Sequence, residues 1–249
     1  MASAHQQPPL DVKAFDAMVQ EYAELDAKRE AVIKQSRDVQ KAAKQAVYAS
    51  LRADPKKARD LIAKAIAGAN DILPIVNDAA THTGGFPSLR MGSFGGSLEE
   101  LAEAMLFAHY IECKSIATPS QLNESFAASA SSKNLATPPV SLTSEEYLGG
   151  LLDMTGELQR YSIARATERD IEEVKRCKLA VEAIFEQFLQ FDLRNGALRK
   201  KYDGLKYTLK KMEATCYELS LASSGSAAGI ATAATAAEGA PAHQADGEE

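Results

Sequence analysis

The sequence predicts an all-α fold, a bundle of about seven helices. Alanine, leucine, lysine and glutamate dominate the composition, whereas valine and isoleucine are sparse, and this balance favours helix over sheet. Apolar residues recur every three or four positions along most of the chain, and no segment alternates apolar and polar residues as a half-buried strand does. With 45% apolar residues, the chain can bury a substantial core.

The first two helices are predicted from their caps and their apolar spacing. Residues 1–10 are expected to be disordered, and Asp11 can cap a helix that ends near Ser50. Asp54 and Pro55 begin a second helix that continues into the high seventies. Apolar residues near the start of the first helix have the spacing of a buried stripe: Phe15, Met18, Val19, Tyr22, Leu25 and Ala27.

The middle of the chain predicts a third helix between two irregular segments. A glycine-rich loop is expected at 81–96, and Ser97 then begins the helix, because Ser97 and Glu100 have the spacing of a capping box. A short helix follows from Thr118. The polar, proline-containing segment 128–143 is expected to be a mobile linker.

Three further helices and a tail are predicted in the C-terminal part. Thr143 and Glu146 have the spacing of a second capping box, which begins the fifth helix. Asp170 lies at the start of the sixth. The last helix is expected at 193–221, and the Ala-, Gly- and Ser-rich residues 222–249 are expected to be a disordered tail.

Charge and cysteine usage limit the class of protein. The net charge is -6, which by itself argues against nucleic-acid binding, yet residues 28–64 carry eleven basic and four acidic residues. Cys113, Cys177 and Cys216 are scattered, which argues against disulfides and a thiolate zinc site and favours the cytoplasm and nucleus. We expect no signal peptide and no membrane span.

A row of basic residues on the first helix forms one candidate site. The residues are spaced by three, four and three positions, so that they share one helix face along about 15 Å: Lys34, Arg37, Lys41 and Lys44. Nucleic-acid phosphates would be attracted to this face in a salt-dependent way. An ordinary solvated face is the alternative, and the sequence leaves both open.

Acidic residues on two predicted helices form a second candidate site. Glu103 lies one turn beyond Glu100 on the third helix. Asp153 and Glu157 are four residues apart within an apolar stretch of the fifth helix. Stacked carboxylates in apolar surroundings repel unless a cation lies between them. The cation is either an arginine, for which Arg160 is suitably placed, or a divalent ion such as Mg²⁺.

Four stretches of the sequence, in the right order, resemble the translin family. They are "KQSRDVQKAAKQAVYA", "LEELAEAMLFAHYI", "YLGGLLDMTGELQRYSIARAT" and "ALRKKYDGLKYTLKKMEATCYELSL". The likeness covers most of residues 15–221 and implies a single translin-like all-α domain over 11–221. The family has two branches, translin and translin-associated factor X. They form a hollow hetero-octamer, an endoribonuclease for single-stranded RNA in RNA-silencing passenger-strand removal and tRNA processing.

The resemblance also implies the residues of the catalytic site. In the translin-associated factor X branch, carboxylates in the pattern L-x-E-x-x-E-A and then D-x-T-G-E-L bind Mg²⁺. Here the pattern falls on Glu100, Glu103 and Asp153, with Glu157 beside them as a further metal ligand. This chain is therefore expected to be the Mg²⁺-dependent nuclease subunit, whose partners are translin and single-stranded RNA, with single-stranded DNA as a second ligand.

The alternative is a non-catalytic subunit that acts as translin does. In that case the acidic residues are structural, and the basic row on the first helix binds single-stranded RNA or DNA. The C-terminal "ALRKKYDGLKYTLKKME" is closer to translin, so the assignment to the catalytic branch rests on the acidic residues.

Overall fold

The computed structural model describes residues 10–82, 89–134 and 137–237, so that the predicted disordered residues 1–9 lie outside it. The described residues form seven α-helices and no strand, which confirms the all-α prediction. None of the described helices is long and apolar enough to cross a membrane. A kinked turn, Arg90–Phe94, in which Met91 and Gly92 have non-helical backbone angles, precedes the third helix. The helices are α1 (Val12–Leu51), α2 (Pro55–His82), α3 (Gly95–Cys113), α4 (Pro119–Ser132), α5 (Ser144–Thr167), α6 (Ile171–Phe188) and α7 (Ala197–Ala237).

The chain divides within α5 into two compact units, Met1–Met154 and Thr155–Glu249, where the sequence predicted one domain over 11–221. In the first unit, α1 packs against α2 and α3, and α2 also packs against α4. In the second unit, α6 packs against α7. Small side chains such as Ala43 and Ala46, both fully buried, let the neighbours of α1 approach closely. The first unit contains the whole basic row and three of the four candidate acids.

The predicted caps of α1 and α2 are confirmed. A carboxylate oxygen of Asp11 accepts hydrogen bonds from the N–H groups of Lys13 and Ala14, at 3.0 and 3.2 Å. Asp54 accepts one from the N–H of Lys57 at 3.1 Å. Each cap satisfies amides that the first turn of a helix leaves without an intrahelical partner.

The first turns of α1, residues 12–24, extend past the end of α2; we call them the α1 overhang. Four apolar residues of the predicted buried stripe are about half exposed or more, at 49%, 48%, 65% and 60%: Phe15, Met18, Val19 and Tyr22. The burial prediction is wrong for these residues because α1 has 40 residues and α2 has only 28. The ion pair of Lys28 Nζ with Asp78 Oδ2, at 2.7 Å, already lies near the end of α2.

The start of α3 differs from the prediction. The helix begins at Gly95, directly after the turn Arg90–Phe94, and Ser97 is buried inside it. The Ser97 hydroxyl donates a hydrogen bond backwards to the Phe94 carbonyl, at 2.7 Å. The predicted capping box of Ser97 with Glu100 is therefore wrong, since the hydroxyl bonds a carbonyl behind it and not an amide ahead of it.

A bidentate ion pair joins the turn before α3 to the first turn of α5. Arg90 Nε donates to Glu146 Oε1 at 3.0 Å, and Nη2 donates to Oε2 at 2.7 Å. Nη2 also donates to the Ser141 carbonyl at 2.7 Å. Glu146 at the same time completes the predicted capping box, which is confirmed: it accepts from the Thr143 N–H at 2.8 Å, and Thr143 Oγ1 accepts from the Glu146 N–H at 3.2 Å.

The segment predicted as a mobile linker, 128–143, has defined contacts where it is described. It is helical as far as Ser132, and residues 135–136 lie outside the described residues. Val140 and Leu142 have buried side chains. The last part of the segment is therefore packed on the first unit, unlike the loose surface loop that its polar composition predicted.

A buried amide fastens this segment to α2. Asn70 is 2% exposed, and its Nδ2 donates to the Phe126 carbonyl at 3.1 Å. Its Oδ1 accepts a hydrogen bond from the Val140 N–H at 2.8 Å. One side chain of α2 thus bonds backbone groups in the middle of α4 and before α5.

The helices α3 and α5 meet at a glycine. A Cβ added to Gly150 would lie 2.7 Å from Ala102 Cβ and 2.8 Å from the amide nitrogen of Glu103 and the carbonyl oxygen of Glu99. The two backbones are therefore close enough that only glycine fits. Since Asp153 is one turn beyond Gly150, this contact places two of the candidate acids, Glu103 and Asp153, on neighbouring helices.

In the second unit, the predicted cap of α6 is confirmed, and α7 ends later than predicted. Asp170 caps α6 by accepting a hydrogen bond from the Glu173 N–H at 3.1 Å. The predicted disordered tail, 222–249, is helical as far as Ala237, and 238–249 lie outside the described residues. Alanine has the highest helix propensity of any residue, so a low-complexity composition rich in alanine is compatible with a longer helix.

Replacing Asn70 by Ala should destabilise the protein by about 1–3 kcal/mol, because a buried N–H and a buried carbonyl would lose their partner. Urea unfolding measures the change. The matched control is Asn77→Ala, at an exposed position of the same helix, for which we expect a change below about 0.5 kcal/mol. Equal effects of the two substitutions would contradict the fastening role of Asn70.

Replacing Gly150 by Ala should lower the stability by about 1–3 kcal/mol, because the added methyl group would push α3 and α5 apart. Thermal unfolding followed by circular dichroism measures the loss. Gly96→Ala, on α3, is the control, since an added Cβ at Gly96 meets no described atom within 4 Å. A Gly150→Ala protein as stable as the control would show that the helices do not need this close contact.

Candidate functional site

The four basic residues predicted as one face lie together on α1 and are exposed; we call them the basic face: Lys34, Arg37, Lys41 and Lys44. The opposite side of the same helix is buried against the first unit, for example at Val39 and Ala43. The helix therefore has one side fixed in the core and a cationic side open to solvent. A row of fixed charges of one sign raises the local concentration of polyanions.

A shallow surface concavity of about 420 Å³ lies along this face. It ends at Tyr48, whose side chain is 49% exposed. The Arg52 guanidinium lies 4.6 Å from the centre of the Tyr48 ring, within cation–π distance. The concavity is lined by three residues of the basic face and three others: Arg37, Gln40, Lys41, Lys44, Gln45 and Tyr48.

Tyr48 is a candidate binding residue that sequence reasoning missed. It lies four positions after Lys44 and so continues the row by one helix turn. A basic row that ends in an exposed aromatic ring combines two features used to bind single-stranded nucleic acids, backbone neutralisation and base stacking. The spacing could have revealed it, but an aromatic residue at a helical interval is equally common in a core.

The basic face and the acidic helix α3 are in direct contact. Lys44 Nζ lies 3.1 Å from Glu100 Oε1, and Gln40 Nε2 donates to the same oxygen at 3.4 Å. The two sets are about 60 residues apart along the chain, so their spacing did not predict this contact. The structure brings one member of the candidate acidic set, Glu100, to the basic face.

The other two candidate acids of the first unit lie on the helix pair described above. Glu103 on α3 and Asp153 on α5 are both half-buried. Among the described residues, no group of three or more acidic, histidine or cysteine side chains is close enough to hold a metal ion. Glu99 lies inside α3, with Oε2 2.7 Å from the position of a Cβ added to Gly149.

Glu157 belongs to the second unit. Its partner there is Arg160, one of the two cations that the sequence predicted for it. Its Oε2 is buried and lies 3.6 Å from Arg160 Nη1, an ion-pair distance that is too long for a good hydrogen bond. Burial raises the pKa of the Glu157 carboxyl above its ordinary value, and the nearby Arg160 opposes this rise. A cation closer than Arg160 would further stabilise the charged form of this carboxylate.

The fold is shared with solved structures named C3PO. The apo form of NeC3PO superposes with a TM-score of 0.66 at 20% sequence identity, over 86% of this chain and 99% of that chain. A complex of AfC3PO with duplex RNA superposes with a TM-score of 0.61, also at 20% identity, over 84% of this chain and 97% of that chain. At this identity the likeness concerns the fold.

Proteins of both branches of one family are similar in sequence. Chicken (Gallus gallus) translin is 31% identical over 124 residues, which is 50% of this chain and 52% of that protein. Mouse (Mus musculus) translin-associated protein X is 31% identical over 138 residues, 49% of this chain and 47% of that protein. The chain thus spans about half the length of these relatives. The sequence profile of the translin family matches residues 27–223, most of the molecule, and the chain therefore belongs to the translin family.

Proposed function

We propose that this chain is a Mg²⁺-dependent endoribonuclease subunit that cleaves single-stranded RNA in a hetero-oligomer with translin, such as the hetero-octamer. The observation that carries the proposal is the contact between Lys44 of the basic face and Glu100 of α3. A strand whose phosphates lie on the basic face passes within side-chain reach of the carboxylates. Binding of the backbone and cleavage of a phosphodiester need these two charge types side by side.

The carboxylates have the chemistry of a Mg²⁺ site. Glu100, Glu103 and Asp153 would hold the ion, since carboxylate oxygens are the hard ligands that Mg²⁺ prefers. A bound ion would supply a water of lowered pKa and neutralise charge on the phosphate. For Glu100 to take part, its Oε1 must exchange Lys44 for the ion. Lys44 then becomes available to a phosphate.

The basic face would position the RNA. Arg37, Lys41 and Lys44 neutralise successive phosphates, and the exposed ring of Tyr48 can stack on an unpaired base. The duplex RNA in the AfC3PO complex supports RNA as the class of ligand. An unpaired base is accessible for stacking on Tyr48, whereas a base within a duplex is already stacked, so the geometry favours single-stranded RNA. Single-stranded DNA offers the same phosphates and is a second ligand.

The proposed biological setting follows from the family. Translin-family nucleases act in passenger-strand removal during RNA silencing and in tRNA fragment processing, and we propose the same roles here. The three cysteines are scattered along the sequence without a CxxC pair, a pattern that favours a reducing compartment, so we propose a cytoplasmic and nuclear location.

A non-catalytic, translin-like RNA- or DNA-binding subunit is the second candidate. Within the part of the chain that the structure describes, it is favoured by the lack of a group of three or more side chains that could hold a metal ion. Cleavage of a labelled single-stranded RNA by the complex reconstituted with translin distinguishes the two. Cleavage that requires Mg²⁺ and stops with EDTA supports the nuclease, and tight binding without cleavage supports the scaffold.

Asp153→Asn and Glu103→Gln should each reduce the cleavage rate by about 10²–10³-fold, because each removes a negative charge from the proposed ion site. The affinity for RNA and the assembly with translin should change less than about twofold, since neither residue belongs to the basic face. Single-turnover cleavage and filter binding measure the two effects. Glu145→Gln, an exposed carboxylate in the first turn of α5, is the matched control. Full activity of the Asp153→Asn/Glu103→Gln double variant would refute the assignment.

Replacing Arg37 and Lys41 together by Gln should weaken RNA binding and reduce the slope of log K against log[salt] by about 1.4. The reason is that each phosphate contact with a single strand contributes about 0.7 to that slope. Fluorescence anisotropy at several salt concentrations measures it. Lys13→Gln, an exposed lysine outside the basic face, should leave the slope unchanged. A normal slope in the double variant would mean that RNA binds elsewhere.

A further inference from the structure

The ring of Tyr48 at the end of the basic face is covered on one side and open on the other. The Arg52 guanidinium lies 4.6 Å from the centre of the ring, and because Arg52 follows Tyr48 by one turn, it covers the face towards the end of α1. The opposite face points towards the preceding turn, which carries Lys44 and Gln45. The residues that line the concavity of about 420 Å³ together with Tyr48 precede it on α1, so the open face borders this concavity.

Gln45 presents an amide at the level where a planar group on Tyr48 would lie. It is exposed and lines the same concavity, and its amide has no hydrogen-bond partner within the described part of the chain. Gln45 precedes Tyr48 by three residues, about 4.5 Å along the helix axis, and a group stacked on the ring lies about 3.5–4 Å from it. The amide therefore lies beside the edge of such a group. The Gln40 amide, by contrast, already donates to Glu100 Oε1 at 3.4 Å.

We propose that Tyr48 and Gln45 form a site for one unpaired nucleobase, in which the Tyr48 ring stacks on the base and the Gln45 amide pairs with its Watson–Crick edge. The inference rests on the proposed binding of RNA to the basic face, and it names the side chain that distinguishes an unpaired base from a paired one. Lys41 and Lys44, one and two turns before Tyr48, then hold the phosphates that adjoin this base.

An amide in this place selects unpaired bases without choosing among them. It has one carbonyl acceptor and two N–H donors, and each of the four RNA bases has a donor next to an acceptor on its Watson–Crick edge. Rotation of the amide by half a turn matches either order of the two groups. A base within a duplex has this edge paired and both ring faces stacked, so that it can use neither Gln45 nor Tyr48. The site therefore favours single strands of any sequence.

Modified strands test the base edge separately from the ring face and the phosphates. The purified full chain is titrated in EDTA against labelled oligomers of uridine, N3-methyluridine or 5-methyluridine, and fluorescence anisotropy gives the dissociation constants. N3-methyluridine keeps the phosphates and the ring but has a methyl group in place of the N3–H donor. In 5-methyluridine, the matched control strand, the methyl group lies away from the Watson–Crick edge. Because EDTA removes divalent ions, the readout does not depend on cleavage.

Three variants are compared with the wild-type chain, and circular dichroism verifies that each is folded. Gln45→Leu keeps a side chain of similar size but has no hydrogen-bonding group, and Tyr48→Leu lacks the ring. The control is Gln20→Leu, at an exposed position of the α1 overhang and outside the basic face.

The wild-type chain and the Gln20→Leu control should bind the N3-methyluridine strand about five- to tenfold more weakly than the other two strands, because the amide loses its pairing with the base. Gln45→Leu should bind all three strands with the same affinity, and its salt slope should equal that of the wild type, since no charge is removed. Tyr48→Leu should bind every strand at least about fivefold more weakly, because stacking is lost.

Two results would overturn this inference without touching the proposed function. One is a wild-type chain that binds the uridine and N3-methyluridine strands equally well. The other is a Gln45→Leu chain that still discriminates between these strands, which would show that another group pairs with the base edge. A wild-type chain that binds none of the strands at low salt would overturn both this inference and the proposed binding of RNA to the basic face.

Discussion

Within the first unit, the bidentate ion pair between Arg90 and Glu146 connects the turn before α3 to the first turn of α5. One guanidinium binds a carboxylate and the Ser141 carbonyl, and the same carboxylate caps α5 through Thr143. A half-buried guanidinium and a buried carboxylate are costly to desolvate unless their hydrogen bonds are satisfied, and here both are. The pair fixes the ends of α3 and α5, and Gly150 fixes their separation further along. The positions of Glu103 and Asp153 are thus set by groups that are not themselves candidates for chemistry.

The contact of Lys44 with Glu100 places the basic face beside the acidic side chains of the first unit. A row of cations next to partly buried carboxylates lowers the repulsion within each set, so that both can be kept on a stable surface. It also makes the two sets compete: a cation that replaces Lys44 at Glu100 leaves Lys44 to an anion. By thermodynamic linkage, an ion that binds at Glu100 would change the affinity of the basic face for its ligand.

Local signals in the sequence predicted most of the helices, and tertiary contacts decided what it could not predict. The caps at Asp11, Asp54, Thr143 and Asp170 were found because a cap is made by residues within one turn. Ser97 has the same spacing but lies inside α3. Its hydroxyl donates to the Phe94 carbonyl, a partner that the spacing of the sequence does not predict. The exposure of Phe15 depends on where α2 ends, about 70 residues later. The pairing of Lys44 with Glu100 depends in the same way on how α1 packs against α3.

The continuity of α1 has a mechanical consequence. The overhang and the basic face belong to one uninterrupted helix, and Tyr22 and Arg37 are separated by about 22 Å along its axis. A helix of this length that is packed along one side behaves as a stiff rod. Anything held at its N-terminal end is therefore kept at a constant distance from a polyanion on the cationic side. The length of the helix would therefore set the spacing between a ligand of the overhang and a polyanion on the basic face.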